Sequence, residues 1–93
     1  MERLTRSLDN NEFYIVSNDK VNHDEKGYFG DAINKLAKFE NIYDDLISKQ
    51  SEISKELEKL RQEDKMHSVK FKQLLANKLT NSNIITLFRA YGI

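Results

Sequence analysis

From residue 31 to residue 91 the chain contains neither glycine nor proline; its glycines are Gly27, Gly30 and Gly92, and it has no proline anywhere. Both helix breakers are thus absent from the rear two-thirds, which leaves that stretch free to form long helices. Within it the apolar residues keep a heptad register. Phe29, Ala32, Leu36, Phe39, Tyr43, Leu46, Gln50, Ile53, Leu57 and Leu60 are separated by alternating steps of three and four, the spacing that holds one seam of a helix against a partner helix. Asp31 stands at the expected N-cap, where its carboxylate accepts from the first free amides. The pattern predicts a helix over about 31–65, roughly 50 Å long at 1.5 Å per residue.

The seam changes width. Ile33, Ala37, Ile42 and Ile47 flank it in the first half, whereas Ser54 and Arg61 take the matching flank later. The first half is therefore expected to bury a broad face and the second a narrow coiled-coil stripe. Gln50 and Asp64 occupy seam positions that favour leucine, so the seam is either fixed in register by a polar residue or frays there. In a parallel dimer Lys35 would meet Glu40, Ile42 would meet Ile47, Lys49 would meet Ser54 and Glu56 would meet Arg61, and none of these pairs repels. The expectation is a homodimer whose seam is Leu36, Phe39, Tyr43, Leu46, Gln50, Ile53, Leu57 and Leu60. Its rival is a helical hairpin in which the C-terminal helices of the same chain cover that seam.

Ahead of Gly30 the pattern differs. Glu12-Phe13-Tyr14-Ile15-Val16-Ser17 is aromatic and β-branched, which predicts a strand, and Ser17-Asn18-Asp19-Lys20 supplies turn formers. The partner strand comes from Arg3–Leu8 or from Lys20–Asn22, and the polar run from Asn22 to Gly27 is expected to be loop. After the long helix, Met66-His67-Ser68 offers a break with Ser68 as cap. Phe71, Leu74, Leu75 and Leu79 then give the apolar face of a helix over about 68–79. Thr80-Asn81-Ser82-Asn83 predicts a turn, followed by a helix over about 83–91 on Ile84, Leu87, Phe88 and Tyr91 that Gly92 stops. The fold class expected is mainly α with a small N-terminal β element. It forms one small domain, 1–93: a hairpin and loop over 1–30, the long helix, and a basic helix-turn-helix-like tail over 66–93.

Charge is segregated along this chain. Acidic and basic side chains number 15 each, yet every Asp and Glu lies at or before Asp64, while Lys65, Lys70, Lys72, Lys78 and Arg89 stand in a tail without acids. Residues 9–45 hold nine acids against four bases, spread as phosphates are along a duplex. Glu40, Asp44 and Asp45 are the candidate partner-binding acids of that stretch, suited to the cationic cleft of a nucleic-acid enzyme. Lys70, Lys72, Lys78 and Arg89 are the candidate basic face for a partner or for phosphates. Specific DNA reading is not favoured, because Asn81 takes the apolar turn position of a DNA-reading helix pair, and Thr86 and Arg89 fall where its second helix points inward.

Catalytic chemistry finds no foothold. His23-Asp24-Glu25 are adjacent in a polar segment and have no Ser or Cys nucleophile beside them. Glu40, Asp44 and Asp45 place at most two ligands on one helical face, and no glycine loop cradles phosphate. No catalytic residue, metal or cofactor is expected. The absence of cysteine rules out disulfides and fits a reducing compartment. The opening residues lack the apolar run of a signal peptide, and no segment reaches the ~20 apolar residues of a membrane span. A cytoplasmic protein without membrane contact is expected.

The opening Met1-Glu2-Arg3-Leu4-Thr5 and the helix start Ala32-Ile33-Asn34-Lys35-Leu36-Ala37-Lys38-Phe39-Glu40 resemble short proteins encoded by phages and prophages of Gram-positive bacteria. Relatives of that kind commonly follow the Asn-Lys-Leu-Ala stretch with a Thr-Gly-Leu turn, whereas here Asn41-Ile42-Tyr43-Asp44-Asp45 continues the helix. The resemblance implies a small phage protein that acts by stoichiometric binding inside the host cell. Its implied partner is a host protein effector, such as a CRISPR nuclease. The alternatives are a nucleic-acid-binding accessory protein that uses the basic C-terminal helices and a structural coiled-coil assembly factor.

Overall fold

A computed structural model describes residues 1–8 and 12–93; Asp9, the first acid of the acidic stretch, lies with Asn10 and Asn11 outside the described residues. In chain order the elements are strands β1 (Thr5–Ser7) and β2 (Tyr14–Val16), a short 3-10 turn at Asn18–Lys20, strands β3 (Asn22–Asp24) and β4 (Gly27–Phe29), then helices α1 (Asp31–Gln62) and α2 (Val69–Ala90). Their contacts fall into two units, Met1–Asn41 and Ile42–Ile93, and α1 contributes to both. Neither helix is long and apolar enough to cross a membrane.

In the first unit β1 and β2 pair antiparallel, with Thr5 opposite Val16, Arg6 opposite Ile15 and Ser7 opposite Tyr14. The predicted strand thus takes its partner from Arg3–Leu8. Asn22–Gly27 is not loop. It forms a second hairpin in which Asn22 faces Phe29, His23 faces Tyr28 and Asp24 faces Gly27. Two local devices make it. Asp24 Oδ1 accepts from the Lys26 amide at 2.8 Å, closing the turn, and the His23 and Tyr28 rings meet across the strands at 5.6 Å. Neither gives the alternation of apolar residues by which strands are recognised. Gly30 then joins β4 to α1 at φ +124°, and its carbonyl accepts the Asn34 amide at 2.9 Å. Asp31 is accordingly the first helical residue and not the cap; its carboxylate lies 3.7 Å from Lys20 Nζ.

The second unit is a helical hairpin. Tyr43 packs edge to face on Phe88 with centroids 6.0 Å apart, Gln50 reaches Lys78 and Ser82, and Glu56 pairs with Lys70. Position numbers rise on one helix as they fall on the other, so α2 runs antiparallel along α1. The turn between them follows from capping. Lys65 donates to the Leu60 carbonyl at 2.8 Å and Asp64 to the Arg61 carbonyl at 3.1 Å, with Asp64 in the left-handed region at φ 56°. This is a Schellman stop, with Asp64 in the place glycine usually takes. Ser68 then caps α2, its Oγ accepting the Phe71 amide at 3.1 Å, as expected. At the far end Gly92, φ 83°, and Ile93 close α2 with the same pair of bonds, to Arg89 and Phe88.

The turn expected at 80–83 does not form: among the described residues two helices stand where three are predicted, and the tail is not helix-turn-helix. Thr, Asn and Ser cost roughly 0.5 kcal/mol each in a helix interior, a small sum against what a break would cost in packing. Ile85 is only 7% exposed, and Ser82 accepts from Gln50 one turn earlier. A turn at 80–83 would throw both out of register. Continuity of the seam therefore overrides local preference.

Candidate functional site

Packing divides the predicted seam. Tyr43, Leu46, Gln50, Ile53, Leu57 and Leu60 all turn toward α2, and Leu57 and Leu60 form the core with Phe71, against which Ile53 and Leu74 pack. That part of the seam is intramolecular, so a parallel dimer along it is replaced by the hairpin. Leu36 and Phe39 belong to the first unit and stay more than two-fifths exposed; with Leu4, Ala32 and Lys35 they line a shallow groove of about 320 Å³. Lys35 Nζ donates to the Glu2 carbonyl beside it.

Gln50 does not fray the helix. Its Nε2 donates to the Lys78 carbonyl at 3.0 Å and to Ser82 Oγ at 2.8 Å, while its buried Oε1 has no partner among the described residues. A half-satisfied buried amide stabilises little, but it accepts only one register of α2 against α1.

On α2 the residues facing α1 are Phe71, Leu74, Lys78, Asn81, Ser82, Ile85 and Phe88, every one buried or half-buried. The expected faces are thereby split. Phe71 and Leu74 turn in while Leu75 and Leu79 turn out, and Phe88 turns in while Ile84, Leu87 and Tyr91 stay exposed. Two polar residues, Lys78 and Asn81, thus take seam positions while leucines face outward. Leu75, Ala76 and Leu79, with Lys72, Lys78 and Ser82, line an open apolar groove of about 520 Å³. The sequence held the signal for this groove: a heptad drawn through Phe71, Leu74, Lys78 and Asn81 puts Leu75 and Leu79 on its flank.

The basic candidates do not form one stripe. Lys70 Nζ lies 2.9 Å from Glu56 Oε1; this ammonium holds the Glu56 carboxyl below the usual carboxylate range, and Glu56 in turn raises Lys70. Lys78 is half-buried on the seam, Lys72 edges the groove, and Arg89 is exposed in the last turn. Among the acidic candidates, Asp44 and Asp45 are exposed in the second unit beside Ile42 and Ile47, which are also exposed. Glu40 is exposed on α1 in the first unit. His23 and Asp24 are consecutive on β3, so they point to opposite faces of the hairpin. Comparison with protein-family models, with curated proteins and with solved structures finds no match to this chain.

Proposed function

We propose that this chain is a non-enzymatic interaction protein that binds a host nucleic-acid-processing effector, such as a CRISPR nuclease, and blocks it stoichiometrically. The observation that carries the reading is the surface of α1 around Asp44 and Asp45. In the second unit the helix from Ile42 to Ser48 bears Asp44 and Asp45 and no cation, and Ile42 and Ile47 are exposed on the flanks beside them. Exposed carboxylates steer association with a cationic cleft, while exposed isoleucines supply apolar area that holds a complex once formed. The phage resemblance of the opening residues and of the helix start supplies the host context. The rival reading, nucleic-acid binding through α2, is weakened because Lys70 is paired and Lys78 half-buried.

Affinity purification of the tagged chain from a Gram-positive host, read by mass spectrometry, tests the proposal. The expected result is capture of a nucleic-acid-processing effector, lost progressively between about 0.1 and 0.5 M salt as screening shortens the reach of the charges. Neutralising Asp44 and Asp45 to Asn should weaken capture about tenfold, as is typical when interface charges are removed from a steered complex. Capture unaffected by these substitutions, or binding of random duplex by the isolated chain at low salt, would contradict it.

A further inference from the structure

Among the described residues only Leu57, Leu60, Phe71 and Ile85 are buried apolar side chains, a thin core that leaves apolar residues on the outer flank of the helical hairpin uncovered. A second copy of the chain can cover that flank.

The second unit offers a face that complements itself. The flank of α2 beside Phe71 and Lys78 shows Lys72, Leu75, Leu79 and Ser82, with Leu75 46% and Leu79 64% exposed. On α1 the corresponding flank of the same face shows Ile47, Ser51, Ser54 and Glu58. The antiparallel register fixed by Tyr43–Phe88 and Gln50–Ser82 sets these residues level with one another. Glu58 stands at the height of Lys72, Ser54 at that of Leu75, Ser51 at that of Leu79, and Ile47 at that of Ser82. At every level one helix carries the large or positive side chain and the other the small or negative one. A two-fold axis running along the helices lays each α2 on the partner copy's α1, again antiparallel, and brings those unlike residues together. A two-fold axis across the helices at the middle of the groove would instead lay α2 on α2, setting Lys72 opposite Ser82 and leaving Glu58 without a partner in the interface.

We propose that the chain is a symmetric dimer of helical hairpins, with Leu75 and Leu79 of each copy packed over Ser54 and Ser51 of the other and Lys72 paired with Glu58 across the interface. Lys72 has no ion-pair partner among the described residues, and Glu58 is held only by Arg61, at 3.8 Å. Both are therefore free to make the cross-pair. The dimer face shares Ile47 with the surface proposed for the effector, whereas Leu75, Leu79 and Lys72 belong to the dimer alone, so substitutions in the groove test the dimer separately from the inhibitory reading.

Sedimentation equilibrium of the full chain between 1 and 100 μM tests it, with helicity followed by circular dichroism. The mass should be twice the 10.9 kDa of the chain. Leu79→Glu should weaken association by about 100-fold or more, because it places an unpaired carboxylate in the covered groove. Lys72→Glu should weaken it about tenfold, and the double exchange Lys72→Glu with Glu58→Lys should restore it to within about threefold of the native chain. Restoration by the exchange keeps the test sound even if Leu79→Glu unfolds. A mass of one chain across the range, with the groove left to some other protein, would overturn the proposal. So would a dimer indifferent to Leu79→Glu, or one that the charge exchange fails to restore.

Discussion

Replacing Leu57 by Ala should lower the stability of the second unit by about 3 kcal/mol, the mid-range cost of removing a buried leucine and leaving a cavity. Leu57 is the most buried side chain among the described residues at 1% exposure, enclosed with Leu60 and Phe71. Whole domains of this length are stable by roughly 5–14 kcal/mol, so the loss is a large fraction of the total. Thermal unfolding followed by circular dichroism at fixed concentration should shift downward by about 15 °C, given 4–8 °C per kcal/mol for a small domain. Leu36 supplies the control. It occupies the same heptad position three repeats earlier, yet it is 55% exposed, and Leu36→Ala should cost below about 1 kcal/mol. A uniform coiled-coil seam would make the two substitutions comparable; the hairpin makes them differ several-fold.

Gly30→Ala should be almost as damaging, through the backbone and in the first unit. A Cβ on Gly30 would sit 2.7 Å from the Lys20 carbonyl oxygen and 3.3 Å from the Val21 Cα. Both neighbours are main chain, so neither gives way by a rotamer change. At φ +124° a side chain is strained whatever space surrounds it. Conformational strain of about 1–3 kcal/mol and overpacking of similar size together give about 3 kcal/mol. The expected outcome is release of β3 and β4 from the start of α1, seen as loss of amide-exchange protection at Asn22–Phe29 while the hairpin around Leu57 keeps its own. Protection retained at β3 and β4 in Gly30→Ala would mean that the close approach of Lys20 and Gly30 does not hold this unit together.

What could be read from the sequence was what depends on regular spacing. The heptad from Leu36 to Leu60 located α1, and Ser68 and Gly92 bounded α2, because each reports a backbone requirement that no distant residue alters. The second hairpin escaped because Asn22, His23 and Asp24 are polar and exposed; its turn rests on one carboxylate-to-amide bond from Asp24. The unbroken α2 escaped for the opposite reason. Thr80-Asn81-Ser82-Asn83 reads locally as a turn, and only the distant Gln50, bonded to Ser82, and buried Ile85 hold it helical. At the candidate site Glu40, Asp44 and Asp45 were legible as part of a stretch in which acids outnumber bases. The outward groove of Leu75 and Leu79 was legible only through a heptad drawn across Lys78 and Asn81, a register that hydropathy alone argues against.

All these readings depend on one claim: α1 closes its seam with α2 of its own chain, so that partners meet only the outer faces. A single introduced cysteine tests this most directly, because the native chain has none. In a parallel coiled coil position 50 faces itself across the dimer axis, well within the roughly 4–7 Å between Cα atoms that a disulfide spans. In the hairpin it faces Ser82. Gln50→Cys oxidised at low protein concentration should therefore remain a single-chain species on non-reducing electrophoresis, whereas a rapidly formed disulfide-linked dimer would contradict the hairpin and the interaction faces derived from it.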